Sequence, residues 1–250
     1  MKKTRTSWGN VAEWYQKLLQ GEGTYQKDVI LPNLLRLLNI QGGETVLDLG
    51  CGPGFFSNEF FKKGAKVIGV DVSPELIEIA RKNSPKEIVY KVASADRVTG
   101  ILDGSADKIT IVLAIQNIEN AAGVFHECAR ILKPGGSLLM VVNHPAFRIP
   151  KESEWGWDLQ KKIQYRRIDR YLSELKNKIQ MHPGDDPKEY TMSFHRPLQF
   201  YFKALQKNGF CVSRLEEWSS HKKSEPGPRA AAENQARAEI PLFLFLEARK

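Results

Sequence analysis

The sequence predicts an α/β fold built on a doubly wound, mostly parallel sheet, and three observations carry that prediction. Val46-Leu47-Asp48-Leu49-Gly50-Cys51-Gly52-Pro53-Gly54 is an apolar strand that runs directly into three alternating glycines. Strand-like and helix-like runs then alternate over residues of about 40 to 145, the order that right-handed βαβ crossovers require. Two of the strands, Ile-Thr-Ile-Val-Leu-Ala at 109–114 and Ser-Leu-Leu-Met-Val-Val at 137–142, are apolar on both faces, as strands covered by helices on either side must be.

Each element follows from local signals. The glycines at 50, 52 and 54 remove side chains where the chain bends sharply and where a ligand approaches the backbone. A helix over 55–63 places Phe56, Phe60 and Phe61 on one side and ends at Gly64. A second strand, 65–70, is followed by Asp71 about 20 residues past the turn, where an acid can accept hydrogen bonds from ribose hydroxyls. Ser73 caps the next helix, with Pro74 at its first position and Glu75 in its first turn. That helix runs to residue 83, and a third strand, 87–92, leads to Ala93-Ser94-Ala95-Asp96. A fourth strand, a helix over 121–132, the turn Lys133-Pro134-Gly135-Gly136 and a fifth strand complete the core.

The spacing of the first turn separates two ligand classes. A dinucleotide site uses G-x-G-x-x-G so that a helix N-terminus faces a pyrophosphate. Here the pattern is D-x-G-x-G-x-G, with Ser57 where the third glycine would stand. A carboxylate at Asp48 repels a pyrophosphate and suits a cationic ligand that bears an amino acid. A nicotinamide dehydrogenase is therefore the weakest alternative.

The order of motifs resembles the class I, Rossmann-like S-adenosylmethionine (SAM)-dependent methyltransferases, of the broad bacterial small-molecule group, over about 44 to 142. That resemblance implies a seven-stranded sheet whose last strand, expected over 240–248, is antiparallel to the rest. It implies SAM as cofactor, with S-adenosylhomocysteine (SAH) as product. The cofactor-binding set it implies is Asp48, Gly50, Cys51, Gly52, Gly54, Asp71, Val72, Ser73, Ala95, Asp96 and Ala114, with Asp71 on the ribose and Asp96 on the adenine amine. Residues 114–117 are expected beside the reactive centre. The methyl group passes by in-line displacement, so alignment of the reactants and, for a protonated acceptor, removal of a proton are all the protein need supply.

Substrate recognition is expected outside the core. Helices over 11–19 and 25–38 lead the chain, with Trp14 and Tyr15 placed to cover cofactor or substrate. The resulting layout is one domain: a helical cap over 1–40, a cofactor core over 41–145, an inserted lid over 146–196 and a C-terminal completion over 197–250. Aromatic and turn residues in the insertion, including Trp155-Gly156-Trp157-Asp158 and His182-Pro183-Gly184-Asp185-Asp186-Pro187, predict a folded lid. His144 and His195 are the candidate bases, since imidazole titrates near neutrality. Tyr15, Asn117 and Arg196 are the candidate substrate contacts. Asn143-His144-Pro145-Ala146 departs from the N-P-P-Y or D-P-P-Y motif of amino-methylating nucleic-acid enzymes, which follows strand four, because it follows strand five and lacks the fourth-place aromatic.

Composition bounds the function. The chain has 250 residues and a formal charge of +8. Residues 37–150 balance 12 bases with 12 acids, and 151–196 hold 10 bases against 8 acids. A small-molecule acceptor is therefore the favoured partner. RNA or protein methylation through the basic lid, and a non-catalytic SAM-binding regulator, are the alternatives. Three scattered cysteines without metal spacing predict a reducing, cytoplasmic setting and no metal site. No run has the apolar length of a membrane helix.

Overall fold

A computed structural model of the chain describes residues 6–181 and 189–250. The predicted turn His182-Pro183-Gly184-Asp185-Asp186-Pro187 and the basic residues of 1–5 lie outside the described residues. The chain opens with α1 (Ala12–Gln20) and α2 (Leu31–Leu38). The expected helix over 25–38 begins instead with a wider π-type turn, Gln26–Ile30, in which the Leu31 N–H donates to the Gln26 carbonyl. Pro32 has no N–H to continue the α-helical ladder backward, which accounts for the change of pitch.

The core alternates as its signals require: β1 (Thr45–Leu49), α3 (Phe55–Lys62), β2 (Lys66–Asp71), α4 (Pro74–Asn83), β3 (Val89–Val92), β4 (Ala106–Val112), α5 (Ala121–Ile131) and β5 (Leu132–Asn143). The Ser73 hydroxyl accepts the Leu76 N–H at 3.3 Å and so caps α4. β5 begins five residues before its predicted start. Leu132 pairs with Ala106, the Lys133-Pro134-Gly135-Gly136 turn bulges out, and regular pairing with β4 resumes at Ser137.

The insertion folds as two antiparallel hairpins, β6 (Ser153–Asp158) with β7 (Ile163–Ile168) and β8 (Leu175–Gln180) with β9 (Tyr190–His195). Then come α6 (Leu198–Lys207), β10 (Cys211–Trp218), α7 (Ala230–Glu239) and β11 (Phe243–Arg249). Helix α7 had no counterpart in the sequence reading, although Ala-Ala-Ala-Glu-Asn-Gln-Ala-Arg-Ala-Glu is rich in the best helix former. It packs on β7, with Arg229 4.8 Å above the Trp157 ring.

Seven strands form one sheet in the order β10-β11-β5-β4-β1-β2-β3. β1 through β5 run parallel, and β11 lies antiparallel between β5 and β10. Alternate residues of each central strand feed opposite cores. Leu47, Ile109, Ile111, Leu138 and Met140 pack with α5 and α6, whereas Val46, Val112, Leu139 and Val141 pack with α2, α3 and α4. Phe125 and Phe60 are fully buried, one in each core, and truncating either to alanine costs about 3–5 kcal/mol. Order reversal between β1 and β4 opens a crevice at the carboxyl ends of the strands.

Candidate functional site

That crevice is a cavity of about 520 Å³ lined by the glycine turn, the tips of β2, β3 and β4, and Trp8, Tyr15 and Leu19 from the N-terminal segment. The turn itself is shaped by its glycines. Gly50 has φ +74, and a Cβ there would collide with the Ala114 methyl, so the two strand tips approach only because position 50 has no side chain.

Asp71 stands at the end of β2 and faces the cavity. Its Oδ2 accepts the Gly52 N–H and its Oδ1 accepts the Ser73 N–H, both at 2.9 Å. Each oxygen keeps a lone-pair direction for a further donor. Burial raises its pKa above the usual carboxylate range, and the backbone N–H donors act against that. Asp96 accepts from the Ser94 hydroxyl and, at 2.8 Å, from Asn120 Nδ2, with Asn120 in turn capping α5. The Ser94 bond holds the Asp96 carboxyl below its ordinary pKa.

Of the eleven expected cofactor residues, Gly50, Cys51, Gly52, Asp71, Val72, Ala95, Asp96 and Ala114 line this cavity. Asp48, Gly54 and Ser73 do not, and each has a local reason. The Asp48 carboxylate lies beneath the turn, where it accepts from Ser57 Oγ at 2.6 Å and Thr110 Oγ1 at 3.1 Å. Burial pushes its pKa up to about 6. Ser57, the residue that breaks the dinucleotide pattern, is thus the partner of Asp48. Gly54 leaves room for the Tyr90 hydroxyl, which would lie 2.5 Å from a Cβ at that position. Ser73 is buried and serves Asp71 through its N–H and α4 through its hydroxyl.

A second cavity of about 530 Å³ adjoins the first and shares Trp8, Tyr15, Leu113 and Asn117 with it. Core, N-terminal segment and insertion all contribute: Gln116 and Asn143 from the sheet edge, Trp14 and Gln26 from the leading helices, Arg148, Ser153, Arg166, Gln180 and Ser193 from the insertion. Tyr15 sits between the two, its ring 5.2 Å from Trp8. Burial and the nearby Asp71 push its phenol up to about 12, so it is a neutral hydroxyl at physiological pH.

Leu113 holds the junction in a left-handed conformation, φ +52. Leucine pays about 1–2 kcal/mol for that geometry. Its N–H donates to Val141 and its carbonyl accepts from Gln116 Nε2, both at 2.8 Å, which secures the turn that presents Asn117. Nothing in the Leu113-Ala114 pair announces this strain.

The two candidate bases do not reach either cavity. His144 Nδ1 accepts the Ala146 and Phe147 N–H groups at 3.2 and 3.3 Å, so its Nε2–H donates to Glu217 at 2.7 Å. Both nitrogens are engaged, and burial lowers its pKa. The ring orders the turn after β5 and does not stand at the mouth of the site. His195 Nε2–H donates to the Tyr171 carbonyl at 2.7 Å, and burial lowers its pKa as well.

Arg196 is likewise no anion anchor. Its guanidinium is 4% exposed and donates to the Ile115, Ile118 and Glu119 carbonyls at 3.4, 2.9 and 2.7 Å. Its flat faces cover Phe194 and Phe200. It fixes the turn over 115–119, of which residues 116–119 line the cavities, and so acts on the site from behind. Sequence reasoning missed Trp8, Leu113, Arg148 and Arg166. Arg166 was visible only as one of the bases of 151–196, and Arg148 only as one of the balanced charges of 37–150.

Comparison with known proteins agrees with this geometry. Residues 47–140 match the family model described as a methyltransferase domain. A ubiquinone biosynthesis O-methyltransferase of Xanthomonas oryzae pv. oryzae is 35% identical over 101 residues, 39% of this chain and 42% of that protein. A demethylmenaquinone methyltransferase of Tropheryma whipplei is 34% identical over 113 residues, 44% of this chain and 46% of that one. The match thus spans less than half the length of these curated relatives. A crystal structure of an S-adenosylmethionine-dependent methyltransferase from Mesorhizobium loti superposes with a TM-score of 0.74 at 28% identity, covering 91% of this chain and 100% of that one. The chain has the fold of the S-adenosylmethionine-dependent methyltransferase from Mesorhizobium loti, and its residues 47–140 match the methyltransferase-domain family.

Proposed function

We propose that the protein methylates a small molecule, with SAM in the cavity over the glycine turn and the acceptor in the adjoining chamber. The observation that carries this reading is the pair of cavities meeting at Tyr15, Leu113 and Asn117. The first cavity suits SAM. Every charged side chain among its described lining residues is an acid, namely Asp71, Asp96 and Glu119, and SAM carries a sulfonium and an ammonium. Asp71 would take the ribose hydroxyls on its free lone pairs, Asp96 the adenine amine, and the backbone around Gly50 and Gly52 the amino-acid end. Bound SAM supplies a methyl carbon activated by its sulfonium, which an in-line acceptor displaces from SAH.

The chain's own part is alignment. Trp8 and Tyr15 wall the junction, and the Leu113 turn sets Asn117 between donor and acceptor. The hairpins of the 146–196 insertion serve as the lid that excludes water from the chamber. The quinone-pathway activities named for the Xanthomonas and Tropheryma relatives support a small-molecule acceptor.

The test is to incubate the protein with tritiated-methyl SAM and a cell extract split into small-molecule, RNA and protein fractions. Label in the small-molecule fraction is the expected outcome. Label in RNA or protein would instead make the insertion a macromolecular platform.

A further inference from the structure

The acceptor chamber differs from its neighbour in charge. Arg148, Lys151 and Arg166 line it, and among the described residues no aspartate or glutamate does. Exposed cations on a rim are ordinary, but Arg148 is not one. It is half-buried on the segment that follows β5, with its guanidinium 5.2 Å above the Phe243 ring. That contact uses a flat face and leaves the N–H edge free. The backbone N–H of Arg148 donates to the His144 carbonyl at 2.9 Å, but its guanidinium makes no hydrogen bond and no ion pair with any described residue. Burial and the neighbouring Arg166 both lower its pKa, the mark of a cation that lacks a counter-charge.

Arg166 is held in place without being neutralised. Its Nε donates to the Phe147 carbonyl at 2.7 Å and its Nη2 to Ser153 Oγ at 2.8 Å, and the ring of Trp155 lies 5.3 Å away. These neutral acceptors orient the guanidinium, and the carboxylate that acts on it, Glu154, lies outside the lining of the chamber. Beside them, Gln116 Oε1 is buried without a partner, an acceptor in want of a donor. Two guanidinium groups facing one cavity whose described lining holds no carboxylate cost free energy that a bound anion recovers. Planar guanidinium forks match carboxylate and phosphate oxygens in two-point geometry.

We infer that the methyl acceptor is an acid: a small molecule whose carboxylate or phosphate is held by Arg148 and Arg166, with a hydroxyl or N–H directed to Gln116. This rests on the methyltransferase reading for its role but on the chamber alone for its chemistry. The cationic donor and the anionic acceptor then occupy cavities of opposite sign, so each is disfavoured in the other's place.

The experiment titrates benzoate, phosphate and, as a neutral control, benzamide into the full chain at constant ionic strength. Intrinsic tryptophan fluorescence reports occupancy, since Trp8 and Trp14 line the chamber. SAH affinity is measured on the same samples by calorimetry. Saturable quenching by benzoate or by phosphate, none by benzamide, and a rise of about tenfold or more in the dissociation constant for Arg148→Gln with SAH affinity unchanged are expected. Arg148→Lys should lie between. Saturation by benzoate alone assigns a carboxylate acid, and by phosphate alone a phosphate ester. No saturation by either anion, or equal affinity in Arg148→Gln, overturns the inference. Anion binding in a protein that fails to bind SAH supports the anion site and removes the methyltransferase reading instead.

Discussion

The two cavities are of similar size, about 520 and 530 Å³, yet they are built in contrasting ways. The one assigned to SAM is built mostly from strand tips of one sheet, with Trp8, Tyr15 and Leu19 added from the N-terminal segment, and its charged lining is acidic. The chamber assigned to the acceptor gathers residues from position 8 to position 193, and its charged lining is basic. A cofactor pocket tied to strand ends is constrained by the sheet that makes it. The chamber proposed for the acceptor is walled in part by two hairpins that pair only within themselves and not with the main sheet.

The largest effect that bears on this contrast is expected at Gly50. Gly50→Ala places a methyl against Ala114 at φ +74, and SAH binding by calorimetry should fall more than about a hundredfold while benzoate or phosphate binding survives. Loss of both together would mean that the cavities are not separable.

A smaller loss, about tenfold to a hundredfold in SAH affinity, is expected for Asp71→Ala, in keeping with charge-assisted hydrogen bonds of about 1.5–3 kcal/mol. The pKa of Asp71 is raised by burial. Wild-type SAH affinity should accordingly fall as pH drops through that raised value, above the range of an exposed carboxylate, and Asp71→Asn should lack this dependence. Wild-type affinity in Asp71→Ala defeats the assignment of its role.

Asp48 should act on stability rather than on ligand contact. Its folded pKa of about 6 exceeds the ordinary value of 3.8, so the folded state holds its proton more tightly than the unfolded chain. The stability it contributes is present in full below 3.8 and is lost as pH rises through about 6. Asp48→Asn cannot titrate. Its Tm relative to wild type should climb by several degrees across that window and then level off, as followed by circular dichroism. A constant difference would show that the carboxylate is not desolvated.

Least of all is expected at His144. His144→Asn should lower Tm through the lost Glu217 bond and leave kcat within about twofold of wild type. A kcat reduced by orders of magnitude at unchanged Tm would restore His144 to the chemistry.

Local signals made the core legible. The alternating glycines, the Ser73-Pro74-Glu75 cap and the doubly apolar strands depend on neighbours a few residues away. The hairpins of the insertion were harder to read. β7 and β8 alternate between half-buried and exposed residues over a small apolar face, so their strand periodicity is faint. Arg196 illustrates the same limit at the site. Beside a proline and before a helix it looks like a free cation, and only the folded chain shows three carbonyls, about 80 residues distant in sequence, closing on it.

By itself the sequence determined the sheet, the glycine turn and the acids at the strand tips, because backbone geometry and hydrophobic period are local properties. Which acids face a cavity was decided by tertiary structure: Asp48 turns inward to Ser57 and Thr110, while Asp71 turns outward on two backbone N–H groups. The sign of the acceptor chamber was decided there too. In the sequence its arginines read as ordinary surface cations, and only the folded chain sets Arg148 and Arg166 in the lining of one cavity that holds no described aspartate or glutamate.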